Sequence, residues 1–480
     1  MPIPEPDFRE RTLFVRLFGP DVYAVGGYVR DLLRGGRPEE VDLLVARRPV
    51  EAIIERLSRH GKVDLVGRSF GVIKFTRRGA TYDVALPRSD RAAADGRRGH
   101  KDIVVRADPG LPVEEDLRRR DFRCNSMALR LSDGALIDPF RGRADVRARI
   151  LRVTDPSAFP EDPLRVLRAA RFASVLRFRL DPEIYALAKD IELAGLSVER
   201  VDEELFRILL RSPRPSVGLE ELFRLGALRR LFPELYALTL VIQDALFHPE
   251  KDDFGHHTVW SHTKLAVDQA ARLAAAFKLE PPRALALLLA ALYHDAGKAE
   301  TTAWEHKRGR MTVTSAGHDV ASERIARQAF ARNKIFSWNG FDLRGTALML
   351  IRTHHRPAEL WARRREVTRK AFSRLAAEVK GEIELCAYLD AADRGGRGRR
   401  PMKGLDREGR WLLDTFKALG VNRASIAPII MGRDLIGLGA EPGPAMGQVL
   451  KEIYRRQLDN EFRTRAGGLR LARSILEGRA

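Results

Sequence analysis

Thiol chemistry is almost absent from this sequence. The two cysteines, Cys124 and Cys386, stand far apart and without ligand spacing. That excludes a disulfide-stapled scaffold and a cysteine-rich metal site, and leaves two buried small apolar residues as the expectation. Long apolar runs are missing as well. None reaches the roughly 18 residues that a membrane-spanning helix needs, so no membrane span is expected. The opening MPIPEPDFRERTL carries no apolar signal-peptide core. Internal repeats and low-complexity segments are also lacking. A reducing cytoplasm is the expected compartment.

What is present is charge. The chain has 480 residues, 31% of them charged, and a formal net charge of +20. Such a field favours polyanions, so nucleic acid is the first partner to consider. Arginine is spread over the whole chain, and part of the excess is ordinary solvated surface. The length is too great for one core and suggests about three domains.

The expected fold class is α+β. Residues 1–150 read as a head domain with a mixed β-sheet. Strands are predicted at Val22–Val25, Val63–Val66, Gly71–Thr76, Thr81–Leu86, Ile103–Val105 and Ala135–Pro139, with a helix at Glu51–His60. Beyond Pro160 the periodicity turns helical. Pro163–Val175, Pro182–Glu192, Val201–Leu210 and Gly218–Leu231 are predicted helices, giving a neck and body over 151–240. A third region, 245–400, is expected to be all-helical, and a helical tail fills 401–480.

Gly26–Val45 reads as a glycine turn, a short helix with Arg30 and Asp31, then a strand. Gly26 and Gly27 lack Cβ atoms, so their backbone amides can approach a phosphate closely. Glu40 and Asp42 are two apart, a spacing that puts both carboxylates on one face of a strand, where they can share a divalent cation. Asp83, on a strand after Ser69-Phe70-Gly71, could join them from a neighbouring strand. A phosphate cradle beside paired carboxylates suits metal-assisted nucleotidyl transfer.

Two further stretches extend this site. Asp116–Leu129 holds Arg118, Arg119 and Arg120, which can bind phosphates bidentately, followed by Asp121 and Asn125. In Glu161–Ala173, Asp162 before Pro163 is a helix N-cap with proline at the first helical position. Arg165 and Arg168 continue on the same face. A carboxylate and a guanidinium on one helix can template a base. The carboxylate accepts from the exocyclic amine of C or A while arginine donates to the adjacent ring nitrogen.

These segments resemble the class II tRNA nucleotidyltransferases (CCA-adding enzymes) and the related bacterial poly(A) polymerases. GGYVRD with EVD, RRDFRCNSMAL, DPFRGRADV, EDPLRVLRAARF and VERVDEEL follow in the family's order over roughly residues 20–235, and MGRDLIGLGAEPGPAMGQVLKEI is similar to the tail of long members. The resemblance implies that Gly26 and Gly27, with Arg30, contact the triphosphate. Glu40 and Asp42 would bind catalytic Mg²⁺, with Asp83 as the third carboxylate. Arg119, Asp121 and Asn125 would position the sugar and phosphates. Asp162 and Arg165 would template the base, with Arg168 near the phosphates. ATP and CTP are the implied substrates, and the tail would grip the acceptor and TψC region of tRNA, or another RNA 3′ end. The family has aspartate where this chain has Glu40, and usually Thr and Ile where it has Arg123 and Cys124.

Nine of the eleven histidines lie between His248 and His355. That clustering points to a metal or phosphate site. The region resembles an HD phosphohydrolase domain, as fused to some CCA-adding enzymes. His262, the His294-Asp295 doublet and Asp393 are the implied ligands of one or two divalent metals. His318, His354 and His355 are further candidates, and His256 and Asp390 stand as alternatives to His262 and Asp393. A cyclic phosphate or phosphomonoester at an RNA end is the implied substrate.

The sequence therefore leads to a template-independent addition of C and/or A to tRNA 3′ ends. Poly(A) synthesis or partial (CC- or A-only) addition remains open. What separates them lies in a head-domain loop within Arg88–Val105. A phosphohydrolase with a degenerate RNA-binding head is the further alternative.

Overall fold

The computed structural model describes residues 5–38, 40–66, 72–92, 103–307, 309–398, 404–419, 428–459 and 461–477. The head strands are β1 (Val22–Val25), β2 (Asp42–Val45), β3 (Lys62–Val66), β4 (Val72–Arg77), β5 (Ala80–Ala85), β6 (Arg88–Ala92), β7 (Ile103–Ala107), β8 (Ala128–Arg130) and β9 (Leu136–Ile137). One sheet runs in the order β3-β4-β5-β2-β1-β8-β9, and β6 and β7 pair apart from it. The sheet is mixed, as expected: β2 and β5 are parallel and the other neighbours antiparallel.

The sequence explains this order. β1, VYAV, is buried along its whole length, which places it in the middle of the sheet with both faces covered. On one face Tyr23, Val25, Leu44 and Ala128 pack against Val113 and Leu117 of the helix Val113–Arg118. On the other, Phe14 meets Phe75 and Tyr82 edge-on at centroid distances of 5.7 and 5.4 Å. Each such ring contributes about 2 kcal/mol or more by leaving water. The parallel register sets Asp42 directly beside Asp83, so both side chains emerge on one face. Glu40 precedes β2 and is exposed. Ser69, Phe70 and Gly71 lie outside the described residues, as do positions 93–102 of the loop that would distinguish the reaction types.

The helix Leu164–Leu176 begins as anticipated. Asp162 Oδ1 accepts from the Leu164 amide at 3.2 Å, with Pro163 between them. Its partner, Val198–Arg211, packs alongside, joined by the buried Arg171–Glu204 pair at 2.5 Å. A two-residue parallel pair, β10 (Ile150–Leu151) with β11 (Arg179–Leu180), ties the head to these helices. Three expectations are corrected. The helix anticipated over 182–192 ends at Ala188. The single helix over 218–231 is two, Pro215–Arg224 and Ala227–Leu231, because Gly226 takes φ +72° between them. The 245–400 region is not all-helical. It contains a hairpin, β12 (Ala303–Lys307) and β13 (Arg310–Thr314). Trp304, Thr312, Val313 and Thr314 favour strands, and Gly309 at φ +79° supplies the turn.

The chain divides into two compact units, 1–212 with 217–231, and 213–216 with 232–480. The second is built on the helices Val259–Ala276, Pro281–Tyr293, His318–Arg332, Leu343–Thr353 and Ile383–Gly395. Pro281–Tyr293 is apolar nearly all round and buried from Ala284 to Tyr293, as a central core helix must be. Ile430, Leu435, Ile453, Phe462 and Ala472 form a separate apolar cluster in the tail. Among the described residues no helix is long and apolar enough to cross a membrane. Both cysteines are buried and free, as anticipated.

Candidate functional site

A cavity of about 730 Å³ opens in the first unit. Gly26, Gly27, Arg30, Glu40, Asp42, Arg119, Asp121, Asn125, Asp162, Arg165 and Arg168 all line it. Segments as far apart in the chain as Gly26 and Arg168 thus line one cavity. Asp83 is not among the lining residues. It sits beside Asp42 in the sheet and faces Lys74 Nζ at 3.5 Å.

The glycine turn is a close fit. Gly26 has φ +68°, and a Cβ there would lie 2.8 Å from an Arg120 guanidinium nitrogen and 3.6 Å from Asp42 Oδ2. The left-handed conformation costs a non-glycine residue about 1 kcal/mol or more. Gly26→Ala should therefore weaken binding of a phosphate-bearing ligand in this cavity roughly tenfold by displacing Arg120. Calorimetry with a nucleoside triphosphate checks this.

Of the three consecutive arginines anticipated as phosphate ligands, Arg120 is the one that reaches this turn. Asp116, wholly buried, explains its placement. Asp116 Oδ1 accepts from Arg119 Nε and Nη2 at 2.9 and 2.8 Å, and Oδ2 lies 3.2 Å from Arg120 Nη2. Burial alone would raise the Asp116 carboxyl, but the Arg120 and Arg119 guanidiniums hold it below the usual range. Arg118 does not line the cavity and pairs with Glu115.

A second network fixes the opposite wall. Arg30 donates to Asp31 at 2.6 Å and to Asn125 Oδ1 at 2.6 Å. Asn125 donates to Asp121 Oδ1 at 3.0 Å, and Arg168 Nε donates to Asp121 Oδ2 at 2.7 Å. Burial works against the Asp121 charge, but Arg168 and Asn125 outweigh it and hold the carboxyl at about 2. Asp42 moves the other way. Burial raises it, the neighbouring Asp83 and Glu40 carboxylates add to that, and Arg120 opposes. Asp42 and its neighbouring carboxylates supply the hard oxygen donors that a divalent cation takes, and among the described residues no three of them stand within ligand distance of one another.

Asp162 and Arg165 face the cavity, each with a partner. Arg165 donates to the carbonyls of Ala158 and Arg119 at 2.6 and 2.7 Å. Asp162 pairs with Arg200 at 3.1 Å. Arg200, Arg207 and Arg211 project into the cavity from Val198–Arg211. Sequence reasoning missed them, although their spacing of seven and four residues marks one helix face.

The histidines converge in the second unit. His262 Nε2 lies 2.9 Å from Asp393 Oδ1 and 3.3 Å from His294 Nε2. Asp295 Oδ2 is 3.3 Å from His294 Nε2, and its Oδ1 is 3.4 Å from His318 Nε2. His355 Nε2 meets His318 Nε2 at 2.9 Å. Two sets of ligand atoms, His262/His294/Asp393 and His318/His354/His355, each fall within 4.8 Å, with Asp295 between them. The alternatives fall away on geometry. His256 lies at the surface beside Asp252, and Asp390 is bound to Arg394. Burial would lower His294, but the Asp295 and Asp393 carboxylates push it up to about 10. His354 Nε2 is buried with no hydrogen-bond partner among the described residues. An inward-facing orphan nitrogen among imidazoles and carboxylates is what a divalent metal site offers.

Comparison with known proteins matches three segments of the chain. The family model "Poly A polymerase head domain" matches residues 22–152, "Probable RNA and SrmB- binding site of polymerase A" matches 177–238, and "HD domain" matches 259–394. Together they define a nucleotidyltransferase whose chain also carries an HD-type domain. The "Multifunctional CCA protein" of Methylococcus capsulatus is 36% identical over 448 residues, covering 90% of this chain and 92% of its own length. That of Dechloromonas aromatica is 37% identical over 349 residues, covering 71% and 76%. The chain belongs to the multifunctional CCA protein family. The fold is similar to that of the Bacillus stearothermophilus CCA-adding enzyme in complex with CTP, with a TM-score of 0.61 at 23% identity over 98% of this chain and 97% of that one.

Proposed function

We propose that this chain adds C and A to the 3′ end of tRNA, taking CTP and ATP without a nucleic-acid template. The observation that supports it most is the convergence, in one cavity, of the glycine turn, Asp42, the Arg119–Arg120 pair and the Asp162 helix. Gly26 and Gly27 admit the triphosphate, and Arg120 and Arg30 meet its charge. Glu40 and Asp42, with Asp83 behind, would hold Mg²⁺, which when bound polarises the α-phosphate and the attacking 3′-hydroxyl. The Asp121–Asn125–Arg30 network holds the sugar side. Asp162 accepts from the exocyclic amine that C and A share, once Arg200 yields it. Arg165 is fixed by two backbone carbonyls and keeps that edge of the cavity rigid. The two buried free thiols suit a cytoplasmic setting.

Incubation with tRNA lacking its terminal CCA, or ending in CC, plus labelled CTP or ATP tests the reading. Incorporation of neither nucleotide would sink it, and long A-tracts would favour poly(A) synthesis instead. Asp162→Ala should lower discrimination against UTP and GTP roughly ten- to hundredfold, the worth of one hydrogen bond to a charged carboxylate. Misincorporation assays with each triphosphate measure this.

The second unit supports a second activity. The imidazole-rich donor set suits hydrolysis of a phosphoester at an RNA end by a divalent metal with its activated water. Release of phosphate from an RNA 3′-phosphate, or opening of a 2′,3′-cyclic phosphate to the phosphomonoester, lost on chelation, is the expected result.

A further inference from the structure

We propose that Glu250, held by His248, is a positioning residue that orients His262 toward the metal. This rests on the reading of the histidine cluster as a metal site. Three of the clustered imidazoles are oriented by the backbone. The Nδ1 atoms of His294, His318 and His354 lie 2.9, 2.7 and 2.7 Å from the carbonyl oxygens of Ala291, Ser315 and Ile351. A carbonyl only accepts, so each Nδ1 carries a proton and each Nε2 faces the cluster, its lone pair free to bind a metal once that ring is neutral.

His262 has a different arrangement. It lies near the start of the helix Val259–Ala276, and the carbonyl three residues before it, that of Val259, accepts from Thr263 Oγ1 at 2.9 Å. Glu250 Oε1 lies 3.3 Å from His262 Nδ1, a buried nitrogen with no well-aligned hydrogen bond among the described residues. The same oxygen lies 2.9 Å from His248 Nδ1. Its glutamate is 5% exposed. The backbone around it is clamped: the Glu250 carbonyl lies 3.0 Å from His257 Nδ1, and the His248 amide donates to Asp244 at 2.9 Å. Gly398, at φ +62°, closes on it from the other side, where a Cβ would be 3.4 Å from the Glu250 amide. A buried carboxylate on a fixed loop, aimed at the far nitrogen of a ligand imidazole, fixes the tautomer and ring angle of that ligand.

Glu250, His248 and His262 also lie within 4.8 Å as a possible ligand set of their own. A neutral imidazole has one lone pair. If His262 serves the inner cluster through Nε2, its Nδ1 is a proton donor to Glu250 and the outer set holds no metal.

The test uses the full chain, stripped by chelation and titrated with Co²⁺, with affinity read by calorimetry and geometry by the visible absorption band. Glu250→Ala should weaken binding roughly 10- to 100-fold and shift the band, with the number of bound ions unchanged. Glu250→Gln, which keeps an accepting oxygen, should restore affinity to within about threefold. His248→Ala should fall between them. Nucleotide incorporation by the same variants reports that the chain is folded. Unchanged affinity and spectrum in Glu250→Ala would overturn the proposal, as would loss of one whole equivalent of metal, which would make Glu250 a ligand. Failure of the unsubstituted chain to bind Co²⁺ through imidazole would instead remove the metal-site reading beneath it.

Discussion

Asp42→Asn should abolish CMP and AMP incorporation, lowering kcat by about a thousandfold or more, while leaving the fold intact or slightly more stable. The size follows from the role. Losing a charged ligand to a metal clamp removes several kcal/mol of transition-state stabilisation, and about 4 kcal/mol is a thousandfold. The stability half follows from the geometry. The Asp42 side chain is exposed at the cavity end of β2, so the rise in its pKa from surrounding protein and the Asp83 and Glu40 carboxylates, opposed by Arg120, is screened by water and the stability gain is small. A carboxyl raised on folding binds more protons folded than unfolded, so its contribution becomes unfavourable as pH rises past the ordinary carboxylate range. Asparagine removes that charge and keeps the shape. Single-turnover incorporation and thermal melting at neutral pH check the two halves together. A fall in both activity and melting temperature would mean that the site had been damaged, and the metal role would lose its support. Glu40 is exposed ahead of β2 rather than paired within the sheet, so Glu40→Asp is the milder change.

Much of the catalytic cavity was legible because its chemistry is written in local patterns. Glycines that a turn requires, carboxylates two apart and a capped helix start each leave a signature within a few residues. That a neighbouring strand could bring Asp83 beside Asp42 was readable, and the parallel register that does so comes from the sheet itself. What could not be read was partnership between distant segments. Asp116 looked like one acid among several in VEEDLRRR, and only the packing of its helix under β1 shows that it is the buried anchor of Arg119 and Arg120. Arg200 is unremarkable in VERVDEEL until the two helices lie side by side. The same holds for Glu250, forty-four residues before the His294 doublet. The hairpin within the histidine region was overlooked because histidine clustering and long apolar helices dominate that stretch, while strand-forming residues occupy only five positions on either side of the turn.

The two units carry separate constellations, and separate loss of function is the sharpest consequence. Asp295→Asn should reduce phosphohydrolase turnover by about a thousandfold, on the same metal-clamp arithmetic, and leave nucleotide incorporation within about twofold, as expected of substitutions with no shared partner. Asp295 stands between two ligand sets, facing His294 on one side and His318 on the other, so its loss disturbs both. The metal-free chain should also show a pH signature. His294, pushed up to about 10 by the Asp295 and Asp393 carboxylates, is protonated at neutral pH without metal. A histidine raised on folding adds stability that is complete below its unfolded pKa of about 6.5 and is lost as pH climbs through the folded value. The melting temperature of the chelated chain should therefore decline between pH 6.5 and about 10. With metal bound, His294 is a neutral ligand and that decline should vanish, while metal affinity rises with pH because binding expels the proton. Melting curves with and without a divalent metal across that range measure it. A pH-independent melting temperature in the chelated chain would mean that the carboxylates do not hold His294 charged, and the cluster would have to be reread as neutral imidazoles.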